Sequence, residues 1–203
     1  MGYTLFGVTA SDAHVNHAGA ANAQLITVRE LSAIASESNA RATEPDEAAA
    51  LHHNDVVTSF SARGTVLPAP VGVVFKGRDA VERWLELHYV ALTDALSFVE
   101  NRMACRVNVY RSVLGEERET NADLVAIATE SLRTLRQLAV ATVALRPEQK
   151  PGAVMCAAYL VEADQWQDFQ VQVDERGRQS SSVRFEMTGP WPPYDFVQMQ
   201  LGA

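Results

Sequence analysis

Gly189-Pro190-Trp191-Pro192-Pro193-Tyr194-Asp195-Phe196 follows directly on Ser181-Ser182-Val183-Arg184-Phe185-Glu186-Met187-Thr188, and this junction decides how the C-terminal part folds. The upstream run alternates apolar and polar residues, which predicts a strand. Downstream, Pro190, Pro192 and Pro193 crowd into four residues. Proline fixes φ and lacks an N–H, so the run is expected to leave the ladder as a stiff, extended corner at the exit of a sheet. Trp191 and Tyr194 sit on that corner and are expected to fold back and plug the end of the core, with partner recognition as the other reading. No chemistry is suggested by either ring.

The 203-residue chain is 47% hydrophobic, enough for one large core or two small ones. Its formal charge of −8 comes from 17 basic residues scattered among 25 acidic ones, without the basic stripe that a nucleic-acid footprint requires. There is no apolar run of membrane-spanning length, and Gly2-Tyr3-Thr4 stands where a signal peptide needs a basic stretch, so a cytoplasmic protein is expected. Cys105 and Cys156 each lie in an apolar strand segment and read as small core hydrophobes.

Taken in order, Tyr3 to Val8, Gln24 to Val28 and Ala33 to Ser36 read as short strands. Between the first two, His14 and His17 lack a third ligand in register, so no metal site is expected. Pro45-Asp46-Glu47 opens a helix whose apolar face is Ala49, Val56 and Phe60. His52, His53, Asn54 and Asp55 look reactive, yet successive helical residues point about 100° apart and cannot converge on one atom. Thr65 to Phe75 is extended and broken by Pro68 and Pro70; Asp79 to Val99 is one helix with Val81, Trp84, Leu85, His88, Leu92, Leu96 and Val99 on a face; Met103 to Val109 is a strand with one wet face. This order predicts an α+β fold with a ferredoxin-like domain over residues 1–114, carrying one extra strand.

Gly115-Glu116-Glu117-Arg118-Glu119 reads as a charged hinge, and a second, smaller α+β domain is expected over 115–203. Thr120 and Asp123 start a long helix of capping-box type, with Leu124, Ala128, Ser131, Leu135, Leu138, Thr142 and Leu145 as a heptad-like stripe. Val154 to Val161 is apolar on both faces and therefore central, Asp164 and Gln167 cap a short helix bearing Trp166, Phe169 and Val173, and the strand and Pro-rich corner follow.

The corner resembles the closing motif of the gas vesicle protein F/L family (GvpF/GvpL). Thr65-Val66-Leu67-Pro68 with Gly72 and Phe75 matches a second family segment, in the right order, and the likeness runs from the Tyr3-Thr4-Leu5-Phe6-Gly7-Val8 strand to Val197. Residues of about 112 to 152 match only as a helix, Pro70-Val71-Gly72 stands where the family carries Arg-Phe-Gly, and its acidic residue near Ala104 is absent. The resemblance implies an accessory or minor structural protein of the gas vesicle that meets the apolar shell protein during assembly, with other accessory proteins as further partners. It points to Leu67, Pro68, Gly72, Phe75, Gly189, Pro190, Trp191, Pro192, Pro193 and Tyr194 as structural or partner-binding positions. Unpaired strand edges and the 124–145 stripe are the surfaces expected to meet that partner.

No GxGxxG, GxxxxGK[ST], GxSxG or HExxH motif occurs, so no catalytic residue, cofactor or metal is expected, and the chain reads as a non-enzyme. The alternative, from another class, is a ferredoxin-like small-molecule sensor or enzyme whose pocket between sheet and helices is lined by Trp84, His88 and Cys105.

Overall fold

A computed structural model describes residues 2–11, 23–38, 46–112, 120–147, 150–197 and 199. His14, His17, Pro45 and the 115–119 hinge lie outside them. The chain divides into two compact units, Met1–Glu100 with Pro192–Ala203, and Asn101–Trp191.

The first unit is built on β1 (Gly2–Ala10), whose residues Phe6 and Val8 are almost wholly buried, as is Leu5. Its long neighbour is β3 (Leu31–Ser38), which forms a hairpin with β2 (Gln24–Val28) across Arg29-Glu30, where Arg29 takes φ 54°. On its other side β1 pairs in succession with two short strands, β4 (Val66–Pro68) and β5 (Val74–Phe75), all antiparallel. The helix α1 (Glu47–Ser61) starts at Asp46, whose carboxylate accepts from the Ala49 N–H at 2.8 Å. It buries His53, Val56, Val57 and Phe60; Ala49, expected on the inner face, is exposed, and His53 takes that role.

The expected single helix over 79–99 is two, α2 (Arg78–Leu87) and α3 (Tyr89–Val99), broken at His88. There the imidazole Nδ1–H donates to the Trp84 carbonyl at 2.9 Å, alongside the His88 backbone N–H at 3.1 Å. Its buried stripe of Val81, Trp84, Leu85, Leu92, Leu96 and Val99 keeps the face read from the sequence.

The second unit runs β6 (Arg102–Arg111), α4 (Asn121–Arg136), β7 (Ala141–Leu145), β8 (Ala153–Glu162), α5 (Trp166–Gln179) and β9 (Val183–Trp191), a β-α-β-β-α-β order. Its antiparallel sheet has the order β7-β8-β6-β9. Two sequence expectations are corrected here. Residues 102–111 were assigned to the first domain, yet β6 is central in the second sheet, between β8 and β9, so the division falls after Glu100 and the ferredoxin-like arrangement expected for 1–114 loses a strand. The 124–145 helix stops at Arg136, and Ala141–Leu145 is β7. Ala141 to Leu145 pair antiparallel with Leu160 to Cys156 of β8, so strand pairing overrides a helical spacing that Leu138, Thr142 and Leu145 happen to continue.

α4 opens with the expected capping box: Asp123 N–H donates to Thr120 Oγ1 at 3.3 Å, and Thr120 N–H to the Asp123 carboxylate at 3.0 Å. α4 and α5 cover one sheet face around Val107, Tyr159, Leu124, Leu135 and Phe169. Tyr159 is fully buried and donates its hydroxyl to the Leu132 carbonyl at 3.0 Å, so its polar end is satisfied.

Candidate functional site

The first motif is a clamp on β1. Leu67 and Pro68 are buried in β4, Ala69 N–H donates to the Phe6 carbonyl at 2.8 Å, and Leu5 N–H donates to the Val73 carbonyl at 2.9 Å. Gly7 is what admits β4 this closely, since a Cβ there would stand 2.6 Å from the Leu67 carbonyl oxygen. Gly72, at φ 87°, turns the chain back toward β5, where Phe75 lies 5.6 Å from the Trp84 ring. His53 ties α1 to this clamp. It is 2% exposed, its Nε2–H donates to the Ala69 carbonyl at 2.9 Å, and Nδ1 has no partner. Burial, more than any other cause, holds its pKa below the ordinary imidazole value.

The second motif is not a corner throughout. β9 runs to Trp191, which pairs with Ala104 past a register shift, so Gly189 and Pro190 lie within the ladder; β9 is an edge strand and its bulge tolerates the proline. The Gly189–Pro190 peptide is cis. Gly189 takes φ 131°, and a Cβ there would meet the Ala104 carbonyl oxygen at 2.9 Å. The unit boundary falls between Trp191 and Pro192, inside the motif. Tyr194 packs against the first unit's cluster of Phe6, Ile34, Val57 and Phe60, and burial pushes its hydroxyl pKa up to about 12. Trp191 does not plug a core: it is 49% exposed, with its indole N–H donating to Thr188 Oγ1 at 3.1 Å. Of the two rings expected inside, Tyr194 is partly buried and Trp191 is exposed.

Neither the alternative pocket nor the helical stripe survives. Trp84 and His88 stack on each other in the first unit at 5.4 Å, whereas Cys105 is 1% exposed in the core of the second, where burial pushes its thiol up to about 12. The three line no common pocket within either unit. Leu124, Ala128, Leu132 and Leu135 are core residues and offer no face to a partner.

What the sequence reading missed lies beside β7. Gln165, which precedes α5 as its N-cap, and Asp168, Phe169 and Gln172 within it fall at i, i+3, i+4 and i+7, and they oppose Leu138 and Val140 across an open groove of about 520 Å³. The spacing was available in the sequence; the turn between α4 and β7, Gln137 to Val140, that makes the other wall was not. Among the described residues no group of three or more His, Cys, Asp or Glu side chains is placed to hold a metal ion, and no helix is long and apolar enough to cross a membrane.

The family model for gas vesicle synthesis proteins GvpL/GvpF matches residues 3–125 and 115–198. The chain belongs to the GvpL/GvpF family. Gas vesicle protein F2 of Halobacterium salinarum is 29% identical over 189 residues, covering 92% of this chain and 85% of that protein. Gas vesicle protein L of a Streptomyces species is 28% identical over 185 residues, covering 73% of this chain and 68% of its own. The crystal structure of GvpF from an Anabaena species superposes with a TM-score of 0.79 at 14% identity, covering 98% of this chain and 97% of that one, and GvpF from Microcystis aeruginosa gives 0.74, also at 14% identity. The GvpL/GvpF fold thus holds while most side chains differ, and the two motif segments are where this chain's backbone geometry dictates residue type.

Proposed function

We propose that this chain is a non-enzymatic accessory or minor structural protein of the gas vesicle, acting in the cytoplasm by binding the apolar shell protein during assembly. The observation that carries the reading is the family match, which runs through both motifs and nearly the whole chain. Physical support comes from the surface. A chain of charge −8 nevertheless exposes Leu87, Val90, Leu138, Val140 and Val171 to solvent, and β7 offers a strand edge without a charged residue. Such features suit a partner that is itself apolar.

The test is a calorimetric titration of purified shell protein into the full chain at low and high salt. Burial of nonpolar area gives a negative heat-capacity change, and the affinity holds within a few-fold as salt rises. No binding by a well-folded partner, or affinity that collapses in moderate salt, removes this reading.

A further inference from the structure

Edge strands of a sheet present unpaired N–H and C=O groups, and native proteins commonly guard them with charge, proline or cover. In the second sheet β9 is guarded: Arg184 and Glu186 pair across its outer run at 3.2 Å, and Pro190 follows. In the first sheet β2 is free of charge but has α2 packed against it. Among the described residues β7, Ala141-Thr142-Val143-Ala144-Leu145, pairs with β8 alone, and it carries no charge.

The groove described above lies at the head of this same strand. Its floor is Phe169, fully buried, flanked by Leu138 at 44% and Val140 at 42% exposure. On its rim stand the carboxamides of Gln137 and Gln165, that of Gln172, whose N–H donates to the Glu175 carboxylate at 2.8 Å, and Asp168, the one charged residue of the lining. An aliphatic floor, carboxamides suited to a peptide backbone, one anionic point and an adjoining strand edge together describe a receptor for extended polypeptide.

We propose that β7 and this groove bind an extended, apolar segment of a partner protein that adds as a strand to the second sheet, with an aliphatic side chain on Leu138, Val140 and Phe169 and a lysine or arginine on Asp168. The occupant follows from complementarity: a neutral edge takes an uncharged strand without desolvating ions, and a lone carboxylate selects a cation over an anion. This rests on the reading that the chain works by holding another protein.

The probes are two capped peptides of about eight residues, which at ~3.3 Å per residue cover β7 and the groove. Both alternate valine and threonine; one has a central lysine, the other a glutamate. Titrated into the full chain and followed by backbone amide shifts, the lysine peptide shifts residues 138–145 and binds about fivefold tighter than the glutamate peptide, in line with an exposed ion pair. Asp168→Asn abolishes the preference while keeping binding, and Leu138→Glu weakens both peptides at least about tenfold. Leu87→Glu, at a residue 80% exposed in the first unit, changes neither. Shifts elsewhere, an equal affinity for the two peptides, or indifference to Leu138→Glu overturns the proposal, as does absence of binding at millimolar peptide. Shell protein that binds the Leu138→Glu variant as tightly as the native chain discards the groove and keeps the functional reading; a groove that takes the peptide in a chain that ignores shell protein does the reverse.

Discussion

Gly189 and Trp191 stand two residues apart in the same motif, and the structure assigns them opposite sensitivities. At Gly189 the φ of 131° lies where an L side chain is strained, and a Cβ would approach the Ala104 carbonyl oxygen to 2.9 Å and Cys105 Cα to 3.2 Å, both backbone atoms of the central strand β6. Backbone strain of about 1–3 kcal/mol and overpacking of about 1–3 kcal/mol add for Gly189→Ala, giving a loss of roughly 2–6 kcal/mol. Trp191→Ala removes a ring that is already 49% exposed and one hydrogen bond to Thr188, worth about 0.5–1.5 kcal/mol. From sequence, burial of Trp191 implies a loss of about 2–4 kcal/mol; the exposed ring lowers that to about 1–2. Urea unfolding of both variants, followed by circular dichroism with slopes compared, decides between them. A Trp191→Ala loss equal to or larger than that of Gly189→Ala would refute the assignment of strand geometry to the glycine and exposure to the indole.

Three further outcomes are expected. His53 has a folded pKa lowered by burial, so the unfolded chain binds more protons once pH drops below the ordinary imidazole value: stability is full above about 6.5 and declines as pH falls toward the folded value. Urea midpoints at pH 7.5 and 5.5 show this decline in the native chain and a flatter profile in His53→Gln; equal slopes refute it. Leu135→Glu unfolds the second unit instead of merely impairing partner binding, since Leu135 is fully buried and the change costs more than about 3 kcal/mol; a soluble variant with native circular dichroism contradicts this. Cys105, with a thiol pushed up to about 12, does not react with a thiol reagent at pH 8 until urea unfolds the chain; modification in the native state at the rate of a free thiol overturns the core assignment.

Element type was legible wherever a segment had a single strong period. The β2 strand, the Thr120 capping box and the buried stripe of α2 and α3 stand where alternation, spacing and caps put them, while β3 starts earlier than read, at Leu31, and turns back from β2 at Arg29-Glu30. Three things were not legible, each because a distant partner decided it. The ladder position of β6 depends on β8 and β9, more than 40 residues downstream, and nothing within Arg102–Arg111 specifies which sheet it joins. β7 hides in a helical spacing because Ala, Leu and Thr serve either state, and only its pairing with β8 selects the strand. The break at His88 has neither glycine nor proline behind it; the imidazole N–H joins the backbone N–H of His88 on the Trp84 carbonyl there. The groove inherits the second failure, since half of its wall is the segment read as helix.

The motifs that mark the family and the surface that could meet a partner therefore separate. Leu67, Pro68, Gly72 and Phe75 fix two short strands on β1, Gly189 admits β9 against β6, and Tyr194 packs into the first unit's core: each is explained by backbone approach or burial. Such residues are constrained by the fold whatever the chain binds. Recognition instead needs residues whose side chains the fold does not use, and Leu138, Val140 and Asp168 meet that condition where the signature residues, Trp191 apart, do not. Gly189, Pro190 and Trp191 are the exposed signature residues, and of these Trp191 alone carries a large side chain; its N–H is already engaged by Thr188, so it offers a partner the apolar face of its ring. The chemistry available at both places is the same, an apolar contact beside a strand edge, and it is the kind of contact that salt leaves in place.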